Sequence, residues 1–134
     1  MNSYKDIRWK QRFENFEKVF QLLEEHNQEE LNSKILIAGY IQFFEMTMEL
    51  SWKVMKDYLE AEGYIVKSPR ETIKQAYQNG IINDGHIWLE ALNKRNLTTH
   101  TYDDDLALTL ISEINKKYFP EIKWFYEKLK RELL

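Results

Sequence analysis

Residues 34–62, KILIAGYIQFFEMTMELSWKVMKDYLEAE, decide the fold of this 134-residue chain. Apolar side chains recur along this stretch every three or four residues, which is the period of one face of an α-helix. The stripe consists of Ile37, Ile41, Phe44, Met48, Trp52, Met55 and Leu59, and it is flanked by Tyr40, Phe43, Leu50 and Tyr58. A surface this wide predicts a long helix, from about Lys34 to Glu62, that is buried on more than one side and is a candidate dimer face.

Two further apolar stripes lie before and after this helix. The first stripe consists of Trp9, Phe13, Phe16, Phe20 and Leu23. It predicts a helix that ends at a polar connection, residues 26–33. The second consists of Ala107, Ile111, Ile114, Tyr118, Ile122, Phe125 and Leu129. Because it runs straight through Pro120, it predicts one long last helix that is kinked at the proline. Two helices that meet at Pro120 are the alternative.

Capping residues mark the segments between these stripes. Ser68-Pro69-Arg70-Glu71 has the pattern of a capping box, with a serine N-cap, a proline in the first turn and a glutamate that reaches back. The short helix that it begins ends near Gly80, and Gly63 is a candidate C-cap of the long helix.

The remaining helix starts have two candidates each. Asn83 or Asp84 caps the start of a helix that runs toward Arg95. The apolar residues of this helix are Leu89, Leu92 and either Ile87 or Trp88. The last helix begins after Thr98-Thr99 or within Asp103-Asp104-Asp105, where carboxylates suit a helix N-terminus. Together the segments predict an all-α fold: a four-helix up-and-down bundle with a short inserted helix, in one domain over residues 1–134.

Composition excludes several classes of function. The chain has no cysteine, its net charge is −3, and its three histidines are scattered, so we expect no metal site, no cofactor and no broad basic face. Glu45 and Glu49 lie one helical turn apart without the histidine partners of a di-iron site, and we expect them to be solvated or at an interface. No apolar run approaches about 20 residues and no signal peptide is evident, so we expect a cytoplasmic protein without membrane contact.

The segment Arg95-Asn96-Leu97-Thr98-Thr99-His100-Thr101-Tyr102 carries the most pointed chemistry. Histidine transfers protons near neutral pH, and arginine binds a phosphate through two parallel donors. His100 as acid/base, Arg95 as phosphate clamp and Asn96 as a supporting donor suit attack of a ribose 2′-hydroxyl on the adjacent phosphate. The alternative is an ordinary helix end followed by a polar turn. The aspartates after Tyr102 repel RNA unless they cap a helix.

The same segment resembles the Arg-x(4–6)-His motif of HEPN domains, in the variant with a tyrosine two residues later. The similarity extends to the nucleotidyltransferase substrate-binding family of HEPN proteins over most of the chain. It is carried by Phe44-Glu45, Trp52-Lys53, Tyr58-Leu59, Ser68-Pro69-Arg70-Glu71, Gly80-Ile81-Ile82, Asp84-Gly85, Trp88 and Arg95-Asn96.

This resemblance implies a helical homodimer encoded beside a small minimal nucleotidyltransferase (MNT). Some HEPN members of such pairs are toxins that cleave RNA without metal across the dimer interface, where Arg95 and His100 would act. The MNT partner silences such toxins by adding AMP to the motif tyrosine, here Tyr102. Two other functions stay open: a non-catalytic subunit that binds a substrate or nucleotide for the nucleotidyltransferase, and a purely structural interaction bundle.

Overall fold

The computed structural model describes residues 3–134, and its longest helix, α2, spans Lys34–Ala61. The other helices are α1 (Ser3–His26), α3 (Pro69–Gln78), α4 (Gly85–Lys94), α5 (Asp104–Glu113) and α6 (Phe119–Leu133). A 3-10 turn, Arg95–Leu97, follows α4, and a π-helical turn, Ile114–Tyr118, joins α5 to α6. The described residues contain no strand, which confirms the all-α prediction: α1, α2, α4 and the continuous α5–α6 segment are the main helices, and α3 is the insert.

Polar side chains begin the helices as N-caps. The Ser68 hydroxyl accepts from the Glu71 N–H at 3.1 Å, while the Glu71 carboxylate accepts from the backbone N–H of Lys67, one residue before the cap. Of the two candidates for α4, the structure selects Asp84, which accepts from two backbone N–H groups of the first turn. Asp103 caps α5 by accepting from the Leu106 N–H. Each cap pairs backbone donors that lack a partner within the helix.

Glycines end α2 and α3 in the same way. Gly63 has φ +97° and Gly80 has φ +74°, in the left-handed region that favours glycine. After each glycine, the next N–H reaches back over the helix end, from Tyr64 to Leu59 and from Ile81 to Ala76. These are Schellman motifs, and they turn the chain sharply at both places.

One hydrophobic core includes residues from all six helices. α2 packs against α1, α3 and α5, which explains why its apolar face is so wide. The exposed large apolar residues of α2 are confined to its first turn, at Ile35 and Leu36. The width of the face therefore reflects packing within the chain, and the face that dimerises stays a prediction. Burial also distinguishes neighbouring residues in two other helices. In the last stripe Leu110 is buried more deeply than Ile111, and in α4 Trp88 is buried more deeply than Ile87.

The last segment stays helical through Pro120, as the sequence predicts, and its irregularity lies just before the proline. The Phe119 N–H donates to the Ile114 carbonyl, five residues back, which defines the π-helical turn. Pro120 has no N–H for an α-helical bond, and its ring displaces the carbonyl four residues back. A wider turn accommodates that carbonyl without breaking the helix.

Two consecutive buried residues, the last of the π-helical turn and the first of α6, face different helices. The Tyr118 ring stacks on Phe44 of α2, and the Phe119 ring stacks on Phe20 of α1, each with 5.7 Å between ring centroids. None of the described helices is both long enough and apolar enough to cross a membrane.

Candidate functional site

The motif predicted from the sequence lies where α4 ends and the chain crosses to α5. Arg95 and Asn96 belong to the 3-10 turn, and the following loop is held by its own backbone. The Thr98 N–H and hydroxyl both donate to the Arg95 carbonyl, and the His100 N–H donates to the Leu97 carbonyl at 2.9 Å. The segment is therefore a series of hydrogen-bonded turns that presents its side chains from a fixed backbone.

Contacts of α4 with the end of α5 and with the π-helical turn fix the position of this 3-10 turn. Lys94 lies 3.4 Å from the Glu113 carboxylate, and the Tyr118 hydroxyl donates to Glu90 at 2.7 Å. Burial, followed by the hydrogen bond to Glu90, raises the pKa of Tyr118 well above its ordinary value. The same hydrogen bond lowers the pKa of Glu90. The hydroxyl thus stays protonated and the carboxylate ionised, which keeps this link intact near neutral pH.

Arg95 turns toward α2 and pairs there with Glu49. The Nη1 of Arg95 lies 3.5 Å from the Glu49 carboxylate, a separation at which charges attract but a strong hydrogen bond does not form. The Glu49 carboxylate is also contacted by Lys53 and by the Trp52 indole N–H, each at 3.3 Å. Both side chains of the Arg95–Glu49 pair are about 40 % exposed (38 % and 44 %), so the guanidinium keeps free donors that face solvent.

A groove of about 490 Å³ opens beside this ion pair. Its lining combines the 3-10 turn with one face of α2: Gln42, Glu45, Met46, Glu49, Leu50, Arg95 and Asn96. The volume lies within the range of small-ligand sites in proteins. Arg95 is the one cationic side chain in this lining.

His100 and Tyr102 form a second contact on the loop. The Nδ1 of His100 lies 2.8 Å from the Tyr102 hydroxyl, and the two rings meet edge to face. Tyr102 is 74 % exposed, so its hydroxyl is open to solvent. Because Nδ1 is engaged, Nε2 is the nitrogen of His100 that remains for proton transfer.

The four motif residues thus form two pairs within one chain. Arg95 and Asn96 line the groove, whereas His100 and Tyr102 contact each other, and within residues 3–134 no hydrogen bond or ion pair joins the two pairs. The aspartates after Tyr102 are partly accounted for: Asp103 caps α5 and Asp104 lies 3.7 Å from Lys34. That arrangement weakens the objection that these carboxylates repel RNA.

Comparison with known proteins assigns the chain to a family. The family model described as nucleotidyltransferase substrate binding protein like matches residues 11–131, nearly the whole chain. The match includes α2, the groove and all four motif residues. The chain belongs to this nucleotidyltransferase substrate-binding family.

Relatives of this protein agree with it in sequence and in fold. A protein of Haemophilus influenzae, named probable ribonuclease HepT, is 32 % identical over 101 residues, which cover 72 % of this chain and 68 % of the relative. A solved structure from Thermus thermophilus superposes with a TM-score of 0.73 at 30 % identity and covers 88 % of this chain and 98 % of its own.

A more distant structure shares the fold alone. It is a tri-AMPylated HEPN toxin of Shewanella oneidensis in complex with an MNT antitoxin, at 16 % identity and a TM-score of 0.67, covering 98 % of this chain and 99 % of its own.

Sequence reasoning missed the α2 side of this candidate site. Glu45 and Glu49 were expected to be solvated or at an interface, and the structure places both in the wall of the groove, with Glu49 on Arg95. Gln42 was not singled out at all. The available signal was the polar line Gln42, Glu45, Glu49 on a helix that is otherwise largely apolar, at the spacing of one helix face.

Proposed function

We propose that this protein is the HEPN component of a HEPN/MNT toxin–antitoxin module and that it cleaves RNA without a metal ion. The observation that carries the proposal is the pairing of a solvent-facing Arg95 guanidinium in a groove with a His100 ring on the same loop that Tyr102 orients. The similarity to a probable ribonuclease HepT supports the choice of RNA as substrate.

In the proposed reaction, Nε2 of neutral His100 accepts the proton of a ribose 2′-hydroxyl. The 2′-oxygen attacks the adjacent phosphorus, a 2′,3′-cyclic phosphate forms, and the bond to the 5′-oxygen breaks. The imidazolium of His100 returns a proton to that 5′-oxygen, so the second product carries a 5′-hydroxyl. Arg95 stabilises the additional negative charge on the phosphoryl oxygens, and Asn96 donates to one of them.

The test is RNA cleavage by the purified protein in the presence of EDTA. We expect cleavage by the unchanged chain and none by His100→Ala, with an unchanged circular dichroism spectrum because His100 lies in a loop outside the core. His86→Ala, an exposed histidine of α4, is the matched control and should cleave normally. Cleavage that survives in His100→Ala would remove this residue from the mechanism.

We propose that the working centre is shared by two protomers of a homodimer. The two motif pairs do not contact each other within one chain, and two copies could bring Arg95 of one protomer next to His100 of the other. A mixture of Arg95→Ala and His100→Ala chains, co-expressed as a heterodimer, should then recover part of the activity that each variant lacks. If the centre lies within one chain, the mixture stays inactive.

Tyr102 is the proposed site of silencing by the MNT partner. Its exposed hydroxyl oxygen attacks the α-phosphorus of ATP, pyrophosphate leaves, and the phenolic proton passes to a base of the partner. The resulting AMP ester removes the hydroxyl that orients His100 and places a nucleotide beside the imidazole. Intact-mass analysis after co-expression with the adjacent nucleotidyltransferase should show added AMP, and Tyr102→Phe should abolish the addition. Modification that persists in Tyr102→Phe would place the acceptor elsewhere.

A second candidate is a binding subunit that presents a substrate to the nucleotidyltransferase. The description of the matched family favours it, and so does the acidic wall of the groove. It predicts no RNA cleavage under any condition, together with nucleotide or partner binding that is lost in Arg95→Ala. The EDTA experiment and a titration with nucleotides therefore separate the two candidates.

A further inference from the structure

The groove beside Arg95 contains more free hydrogen-bonding groups than a phosphate clamp requires. Within the described residues the side chains of Gln42, Glu45 and Asn96 have no hydrogen bond or ion pair, although all three line the groove. Met46 and Leu50, half-buried on α2, supply the apolar part of the lining. The groove therefore offers an apolar surface bordered by unpaired acceptors and donors.

The charges of the groove are divided between its two ends. Arg95 lies at the end next to Glu49, and Glu45 lies one helical turn away from Glu49, a rise of about 6 Å along α2. A second phosphate at the far end of the groove would lie next to the Glu45 carboxylate and be repelled by it, so that end does not take one. It does not suit a metal ion either, because the guanidinium is nearby and no group of three or more candidate ligands occurs among residues 3–134.

We propose that this groove is a nucleobase subsite and that Glu45 reads guanine next to the phosphate bound by Arg95. The proposal rests on the proposed function for the position of the phosphate and deepens it by naming the base. The base lies on Met46 and Leu50, while the sugar spans the turn between Arg95 and Glu45. The volume of about 490 Å³ is sufficient for one nucleotide.

Guanine is the base that matches a free carboxylate. Its N1–H and 2-amino group are two adjacent donors, which the two oxygens of a glutamate accept in parallel. Adenine and cytosine each offer one amino group beside an acceptor, and uracil offers one N–H between two carbonyls, so each would leave a carboxylate oxygen facing an acceptor. Glu49 is less available because Arg95, Trp52 and Lys53 already surround it.

Direct titration with nucleoside monophosphates tests the assignment. The probes are the 3′- and 5′-monophosphates of guanosine, inosine and adenosine, where inosine differs from guanosine only by the missing 2-amino group. We expect one of the guanosine isomers to bind at least about fivefold tighter than the matching inosine isomer. The ratio is informative because the phosphate contact with Arg95 is the same in both ligands.

Glu45→Gln should reduce the guanosine-to-inosine ratio to about one, because an amide presents a donor where the base also donates. Glu14→Gln, the same change on an exposed residue of α1 outside the groove, should leave the ratio unchanged. Equal binding of guanosine and inosine monophosphates, absence of binding by both guanosine isomers, or a ratio that survives in Glu45→Gln would overturn the proposal.

Cleavage-site mapping distinguishes this inference from the proposed function. RNA cleavage that shows no preference for guanine at either side of the cut contradicts the base subsite and leaves the ribonuclease intact. A guanosine preference in binding without any RNA cleavage supports the base subsite and contradicts the ribonuclease. Cleavage next to guanine that becomes non-selective in Glu45→Gln supports both.

Discussion

At the scale of single residues, Arg95 has one anionic partner, the Glu49 carboxylate, which would compete with the phosphate of the proposed substrate. The two side chains of this pair are 3.5 Å apart and about 40 % exposed (38 % and 44 %). Exposed ion pairs of this kind contribute little to the free energy of unfolding because solvent screens the two charges. Glu49 therefore competes with a phosphate only modestly, and it also restricts the rotamers of the arginine.

Removing the charge of Glu49 should strengthen phosphate binding. We expect Glu49→Gln to bind a short single-stranded RNA about two- to fivefold more tightly at low salt, because a like charge next to the phosphate is gone. Fluorescence anisotropy at two salt concentrations measures the effect, which should shrink as salt increases. Glu127→Gln, an exposed residue of α6, is the control for net charge. Weaker binding by Glu49→Gln would mean that the carboxylate mainly positions Arg95.

At the scale of elements, the local signals of the sequence predicted most of the helices. The capping box at Ser68 begins α3, and glycines end α2 and α3, at the places that the sequence predicts. These signals are reliable because caps depend on neighbours within a few residues. The choice between Asn83 and Asp84 was not predictable, since both residue types cap helices and only the fold places one of them at the turn. The π-helical turn was also missed, because the apolar stripe through Pro120 keeps an α-helical spacing.

Glycine-to-alanine substitutions test the backbone conformation of single elements without a steric clash of the added methyl group. A Cβ added at Gly39, Gly63 or Gly80 meets no atom within 4 Å. Gly63→Ala and Gly80→Ala should each lower the free energy of unfolding by roughly 1–2 kcal/mol, because alanine is strained at positive φ. Gly39→Ala, inside α2 without such a backbone, should raise it by roughly 0.5–1 kcal/mol. Urea denaturation of the three variants measures these changes, and a loss of stability in Gly39→Ala would contradict the argument.

At the scale of the whole molecule, the first and last helices are tied together by a polar cluster. The Tyr126 hydroxyl and Lys130 of α6 both donate to Glu17 of α1. The hydrogen bond from Lys130, followed by that from Tyr126, lowers the pKa of Glu17. Burial, followed by the bond to Glu17, raises the pKa of Tyr126 to about 12. Residues so far apart in the sequence meet only in the folded chain, which is also why the contact between Arg95 and Glu49 could not be predicted from spacing.

This cluster should make stability depend on pH at both extremes. Glu17, with its lowered pKa, contributes fully above its ordinary value of 4.5, and the contribution is lost as pH falls further. Tyr126 contributes fully below pH 10, and its contribution is lost as pH rises through about 12. Glu17→Gln should therefore lower the free energy of unfolding by about 1 kcal/mol at pH 7 and by less at pH 3.

The matched control for that measurement is a second ion pair between the same two helices. Lys123 and Glu24 are 3.0 Å apart, and both are more than 40 % exposed (45 % and 41 %), whereas Glu17 is 21 % exposed. Glu24→Gln should have the smaller effect at pH 7, because solvent screens the pair that it breaks. Equal effects of the two substitutions would show that the cluster around Tyr126 adds nothing beyond an ordinary surface pair.

The π-helical turn at Ile114–Tyr118 has a consequence for the gene as well as for the helix. A π turn holds one residue more than the α-helical turn that it replaces, so it acts as a single-codon insertion that the bundle has absorbed. Elsewhere in the helix such an insertion would rotate every later side chain by about 100°. Homologues without the turn should therefore align with a one-residue gap at this place, while α5 and α6 on either side keep their core positions.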